Sequence, residues 1–101
     1  MEASLIGRLR PMIEDDFTDK ETGEIIEYKQ IQLESEDEKG RIQIDRVSIN
    51  RKDWDSIDDI KKLEDNLVTV PCSITRTQTG MRTVLSGEVT KFHTAPIKAA
   101  S

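Results

Sequence analysis

Residues 24–50, EIIEYKQIQLESEDEKGRIQIDRVSIN, alternate apolar and polar side chains on either side of one acidic run that ends in glycine. Side chains of a strand point to opposite faces with a period of two. The spacing therefore predicts two strands joined by a turn. In the first, Ile31 and Leu33 alternate with Tyr28, Gln30 and Gln32; in the second, Ile42 and Ile44 alternate with Arg41 and Gln43. One face is then aliphatic, and the other carries a tyrosine, three glutamines and an arginine. An aromatic ring among amide side chains suits a flat, sequence-tolerant nucleic-acid face, with a ring to stack on and donors and acceptors around it. An ordinary solvated face with one exposed tyrosine fits the same pattern. Parity slips farther on, since Ile42 and Ile44 are even and Val47 and Ile49 are odd. A bulge near Asp45 and Arg46 is the expected repair, and it places Arg46 and Ser48 on the polar face. The run Glu34 to Gly40 reads as a solvated tip, held away from any bound phosphate.

Upstream, residues 4–13, SLIGRLRPMI, read as a first strand with Leu5, Leu9 and Ile13 on one face and Arg8, Arg10 and Met12 on the other. Gly7 permits a bend, and Pro11, which has no N–H, belongs at an edge or a bulge. Residues 14–24, EDDFTDKETGE, read as a polar connection whose Gly23 is free to take positive φ. Phe17 either folds back into a small satellite cluster or offers a stacking ring from this arm. Downstream, residues 53–64, DWDSIDDIKKLE, are the helix candidate, with Trp54, Ile57, Ile60 and either Leu63 or Lys61 on one face. Asp53 or Asp55 is the expected cap. Trp54 opens the apolar face and reads as core or barrel plug rather than ligand contact. Residues 66–77, NLVTVPCSITRT, give a fourth strand with Val68, Val70, Cys72 and Ile74 inward. Pro71 marks this strand as an edge or a bulged one. A turn at residues 77–80 leads to a fifth strand, Met81 to Phe92, with Leu85 and Val89 inward and a bend at Gly87.

The chain has 101 residues, enough for one domain, expected over 1–93, with a frayed tail over 94–101. Nothing approaches the ~20 apolar residues of a membrane helix or the apolar run of a signal peptide, so the expected location is cytoplasmic. The single Cys72 leaves no disulfide framework and no zinc cluster within one chain, and reads as a small buried hydrophobe. Catalytic constellations are missing from the pattern. His93 stands alone beside the tail, no glycine-rich phosphate loop appears, and Asp53, Asp55 and Asp58 lack the glycine and glutamate of a calcium loop. The expectation is a binding protein, not an enzyme, with no cofactor and no metal. Net charge is −5, yet it is unevenly spread: residues 14–38 hold eleven acids and two bases, and residues 66–101 hold four bases and one acid. A groove answers to its local charges, because screening cuts interactions off beyond about 8–10 Å at ordinary salt.

The order strand, strand, strand, helix, strand, strand is that of the OB-fold, a five-stranded Greek-key barrel, all-β with one helix between strands three and four. Such barrels bind on the outer faces of strands two and three, with the loops after strands one and four. Parity places Arg8 and Arg10 there from strand one, Tyr28, Gln30 and Gln32 from strand two, and Gln43, Arg46 and Ser48 from strand three. The first loop adds Phe17 and Lys20, and the loop after strand four adds Arg76, Gln78 and Arg82. In size, element order and face chemistry the chain resembles the small OB-fold single-stranded-DNA-binding proteins of filamentous phages and other mobile elements, the gene V type. The resemblance implies a homodimer or larger assembly that coats single-stranded DNA without sequence preference during replication in a bacterial host cell. On that reading the five arginines neutralise phosphates, and Tyr28, with or without Phe17, stacks a base. This chain departs from the type in having few aromatics and an acidic net charge. The alternative is a protein-interaction module, the same barrel docking a basic partner through its acidic loops and an edge strand.

Overall fold

The computed structural model describes residues 1–92; His93 and the 94–101 tail lie outside the described residues. The elements are β1 (Glu2–Thr18), β2 (Ile25–Glu36), β3 (Ile42–Ser48), a 3-10 turn (Arg51–Ser56) running into the short helix α1 (Ile57–Lys61), β4 (Leu67–Thr77), β5 (Gly80–Leu85) and β6 (Thr90–Lys91). The sheet order is β1-β2-β3-β5-β4, and β4 returns to pair with β1. This is a closed five-stranded OB barrel with its helix between β3 and β4, as the element order predicts. The β3–β5 contact is the parallel one, at Ser48 and Val84.

Closure depends on β1 serving two partners. Its residues 8–18 pair with β2, and residues 2–8 pair with β4. Gly7 sits at the handover. A Cβ there would lie 2.9 Å from the Glu34 carbonyl oxygen and 3.3 Å from Leu33 Cβ. The close approach of the β2 backbone at Glu34 thus favours glycine here. Inside the barrel, Leu9, Ile31, Leu33, Val47, Val68, Val70, Cys72 and Leu85 are buried, and Ile57 and Ile60 of α1 close one end. Each such aliphatic side chain contributes about 1.5–3 kcal/mol by leaving water. Trp54 is half-buried against this core, and its indole N–H donates to the Ile49 carbonyl at 3.1 Å.

Several expectations need correction. The first strand does not stop at Ile13: it runs on to Thr18, and β2 pairs with it back to Ile25. The polar connection contracts to a turn at residues 19–24, where Asp19 Oδ1 accepts from the Glu21 amide at 2.8 Å and Gly23 takes φ 76°. One extra residue in β1 between Arg10 and Ile13 forms a bulge at Pro11, so Ile13 turns outward and Met12 packs on the core. The bulge expected in the third strand is absent. The β2–β3 register runs unbroken from Gln30–Ser48 to Glu36–Ile42. Ile42 and Ile44 therefore face outward, 65% and 44% exposed, and Gln43 takes the opposite face. The pair of strands outruns the barrel there, so nothing forces apolar groups inward.

Pro71 does not mark an edge. β4 lies between β1 and both β5 and β6. The Pro71 carbonyl accepts from the Ser86 amide at 3.0 Å. Backbone N and O of one strand residue point to the same side, so the N–H that proline lacks is missing from the ladder on this side. The fifth strand ends at Leu85, and the chain rejoins β4 only at Thr90–Lys91. The helix also starts differently. Neither Asp53 nor Asp55 caps it by a side-chain bond; the chain enters through a 3-10 turn in which the Asp53 amide donates to the Asn50 carbonyl at 2.9 Å.

Candidate nucleic-acid interface

The β1-β2-β3 register, shifted once at the Pro11 bulge, sets side chains in cross-strand rows on the outer face. Arg10, Gln32 and Arg46 form one row. Adjacent strands lie about 4.8 Å apart, which spaces the two arginine Cα atoms roughly 10 Å across the row. The next row holds Ile13, Gln30 and Ser48, and the one after it Asp15 and Tyr28. Phe17 follows, opposite Ile26. Its ring centroid lies 6.1 Å from that of Tyr28, tilted by 52°. Phe17 thus stands beside Tyr28 on a strand rather than in a loop, and is 51% exposed.

Gln30 and Ser48, Tyr28, and Phe17 from these rows face a cleft of about 660 Å³ between the β1–β2 arm and the β4–β5 hairpin, and the Arg10, Gln32, Arg46 row lies outside its lining. Of the residues expected at the site, Phe17, Tyr28, Gln30, Ser48 and Arg82 line it. Arg82 is the one charged residue of the lining, and Thr77, Thr79 and Met81 complete it. Among the described residues, Arg46 and Arg82 form no salt bridge. Their charge is not quenched within the fold. An adjoining cleft of about 440 Å³ shares Phe17, Tyr28, Ser48 and Arg82 and adds Lys29, Arg51 and Trp54. A larger cleft, about 760 Å³, lies elsewhere, between α1 and residues 85–91. It is lined by three bases, Lys52, Lys62 and Lys91, and three acids, Asp53, Asp59 and Glu88. That balance gives no preference for an anion, so size does not make it the binding surface.

Other expected site residues are placed differently. Arg8 lies one row beyond Arg10 on the same face. Both are engaged by the loop before β4: Arg8 donates to the Asp65 carbonyl, and Arg10 Nη1 lies 2.7 Å from Asp65 Oδ1. Glu34 stands 4.0 Å from Arg10 Nε. Gln32 fastens the bulge by donating to the Pro11 carbonyl at 2.7 Å. Gln43 points away from the face. Arg76 registers with Met81, on the opposite face of its hairpin from Arg82. Lys20 sits in the exposed 19–24 turn, and Gln78 at the tip of the β4–β5 hairpin. Sequence reasoning missed Thr77, Thr79 and Met81, as well as Lys29 and Arg51. Lys29 has the parity of the buried Ile31, so alternation assigns it inward; at that point β2 has left the barrel. The thiol of Cys72 is pushed up by burial, as befits a core residue.

No protein-family model and no curated protein matches the chain. Among solved structures, the chain is similar to the crystal structure of the mitochondrial single-stranded DNA-binding protein Rim1 from S. cerevisiae. The TM-score is 0.59 and the identity 14%, over 91% of this chain and 93% of that one. At that identity the likeness is one of fold, the OB barrel.

Proposed function

We propose that the chain binds single-stranded DNA without sequence preference, by phosphate neutralisation and base stacking. The observation that carries this reading is a contrast of charge. In a chain of net charge −5, the cleft on the barrel's outer face has Arg82 as its one charged lining residue and two aromatic rings, Phe17 and Tyr28, on its wall. Arginines and rings are what a phosphate backbone and unstacked bases require. The fold shared with a yeast protein described as single-stranded-DNA-binding supports the same reading. We place the chain with the gene V type, a homodimer or larger assembly that acts in phage or mobile-element replication in the cytoplasm of a bacterial host, and assign it no catalytic role.

The test is a titration of fluorescent oligo-dT at rising salt. Log K should fall linearly with log salt, by about 0.7 per phosphate neutralised. Tyr28→Ala should weaken binding by about 1–3 kcal/mol, the worth of one stacked base. A flat salt response, or unchanged affinity in that variant, counts against the proposal. A second reading is favoured by Ile42 and Ile44, which lie exposed beside Glu34 and Glu36. Such a patch suits a basic partner protein with apolar side chains. A gel shift with single-stranded DNA separates the two.

A further inference from the structure

The adjoining cleft adds to the shared Phe17, Tyr28, Ser48 and Arg82 parts that the first cleft lacks. Its lining carries Arg51, Arg82 and Lys29, the last with Glu14 at 3.7 Å, and a single lining carboxylate, Glu27. Trp54 forms one wall. The indole is fixed by its hydrogen bond to the Ile49 carbonyl, and the Arg51 guanidinium lies 4.8 Å from its ring centroid. Lys29 Nζ approaches the same ring at 4.9 Å. Among the described residues Arg51 has no carboxylate partner, and its side chain is exposed at the end of β3. Phe17, Tyr28, Ser48 and Arg82 belong to both clefts, so the two adjoin along these residues.

We propose that a bound single strand does not end on the β2–β3 face but continues over the end of β3 onto Trp54 and Arg51, where a further nucleotide unit is held. The proposal rests on the single-strand reading above and extends its path. A guanidinium already stacked on an indole offers a planar surface to a base and a charge to its phosphate. Arg82, common to both clefts, and Arg51, in the second alone, neutralise phosphates along that path. Trp54, read from the sequence as a barrel plug, then has a second role: its buried edge packs on the core while its face bounds the strand's path.

The chain holds one tryptophan, so its emission reports on this cleft alone. The experiment titrates the full chain with oligo-dT of about 16 nucleotides, within the site size of one OB barrel. Labelled-strand anisotropy and tryptophan emission are followed together. Emission should change in step with anisotropy. Arg51→Ala should lower the slope of log K against log salt by about 0.7. Arg41→Ala, on the acidic turn and paired with Asp37 at 2.8 Å, should leave the slope unchanged. Unmoved emission during binding seen by anisotropy overturns the extension, as does a wild-type slope in Arg51→Ala. An equal fall in Arg41→Ala also overturns it, because the effect is then one of net charge. Binding of no oligonucleotide by either readout overturns the single-strand reading itself.

Discussion

Asp65 occupies an uncommon backbone state, φ 70°, which aspartate and asparagine tolerate better than other non-glycine residues. Its amide donates to the Leu9 carbonyl at 2.8 Å and its carboxylate takes Arg10, so one residue pins the loop to β1 and offsets a charge of the proposed face. Asp65→Asn keeps the backbone preference and removes that charge. The variant should bind oligo-dT more tightly at low salt, with the salt slope steeper by up to about 0.7. Melting should barely move, because exposed ion pairs contribute about 0–1 kcal/mol. An unaltered slope would show that the strand does not pass over Arg10. At this scale the sequence was informative where a strand is packed on one side. Tyr28, Gln30 and Ser48 share a face because Ile31 and Val47 are held inside. Gln43 was misplaced because Ile42 and Ile44 lie past the barrel's end, where neither face is covered and alternation no longer says which side is inward.

Among the elements, β1 bears the most constraint, since it closes the barrel at one end and extends as an arm at the other. Gly7→Ala drives a Cβ against the Glu34 carbonyl, so it should cost about 1–3 kcal/mol, the range for overpacking. In a domain of this size that is several degrees of Tm. A Tm within one degree of wild type would show that β2 yields after all. The arm is held by Glu14, whose carboxylate lies 2.6 Å from Lys61 Nζ on α1 and 3.7 Å from Lys29 Nζ on β2. The hydrogen bond from Lys61 is the main cause that holds the Glu14 carboxyl below the usual carboxylate range, and the same bond raises the Lys61 ammonium. A lowered acid stabilises the fold above its unfolded pKa, about 4.3 for glutamate, and that contribution is lost as pH falls through the lower folded value. A raised lysine contributes below about 10.4 and is lost as pH rises past its folded value. The clamp therefore works between these limits. At pH 7, Glu14→Gln should speed amide exchange in residues 12–18, and its Tm deficit should shrink as the pH falls below the glutamate range. A deficit that persists in acid would assign the effect to packing instead. The strand order was legible because each barrel strand has an apolar stripe. The arm was hidden because residues 14–18 are solvated on both faces and present no such stripe.

Across the whole molecule, which extends 58 Å along its longest axis, charge is sorted by place. Acids crowd the β1–β2 arm and the turn after β2, while Arg51 and Arg82, without an ion pair among the described residues, line the clefts. Net charge could not reveal this sorting, since it depends on which residues the register brings to one side. The sorting also separates two electrostatic effects that a total of −5 would merge. Glu36 lies six residues along β2 from Gln30, roughly 20 Å at the strand rise. That exceeds the ~8 Å Debye length at 0.15 M salt and falls within the ~30 Å length at 0.01 M. Glu36 and Glu38 are exposed, whereas Asp37 is tied to Arg41 and its carboxyl is held low chiefly by the backbone amide of Arg41. The double variant Glu36→Gln/Glu38→Gln should therefore raise the stopped-flow association rate for oligo-dT severalfold at 0.01 M salt and leave it unchanged at 0.15 M, with dissociation unaffected at both. A gain of equal size at both salts would mean that these carboxylates touch the strand, and the path would then have to run along β2 toward the acidic turn rather than over the end of β3.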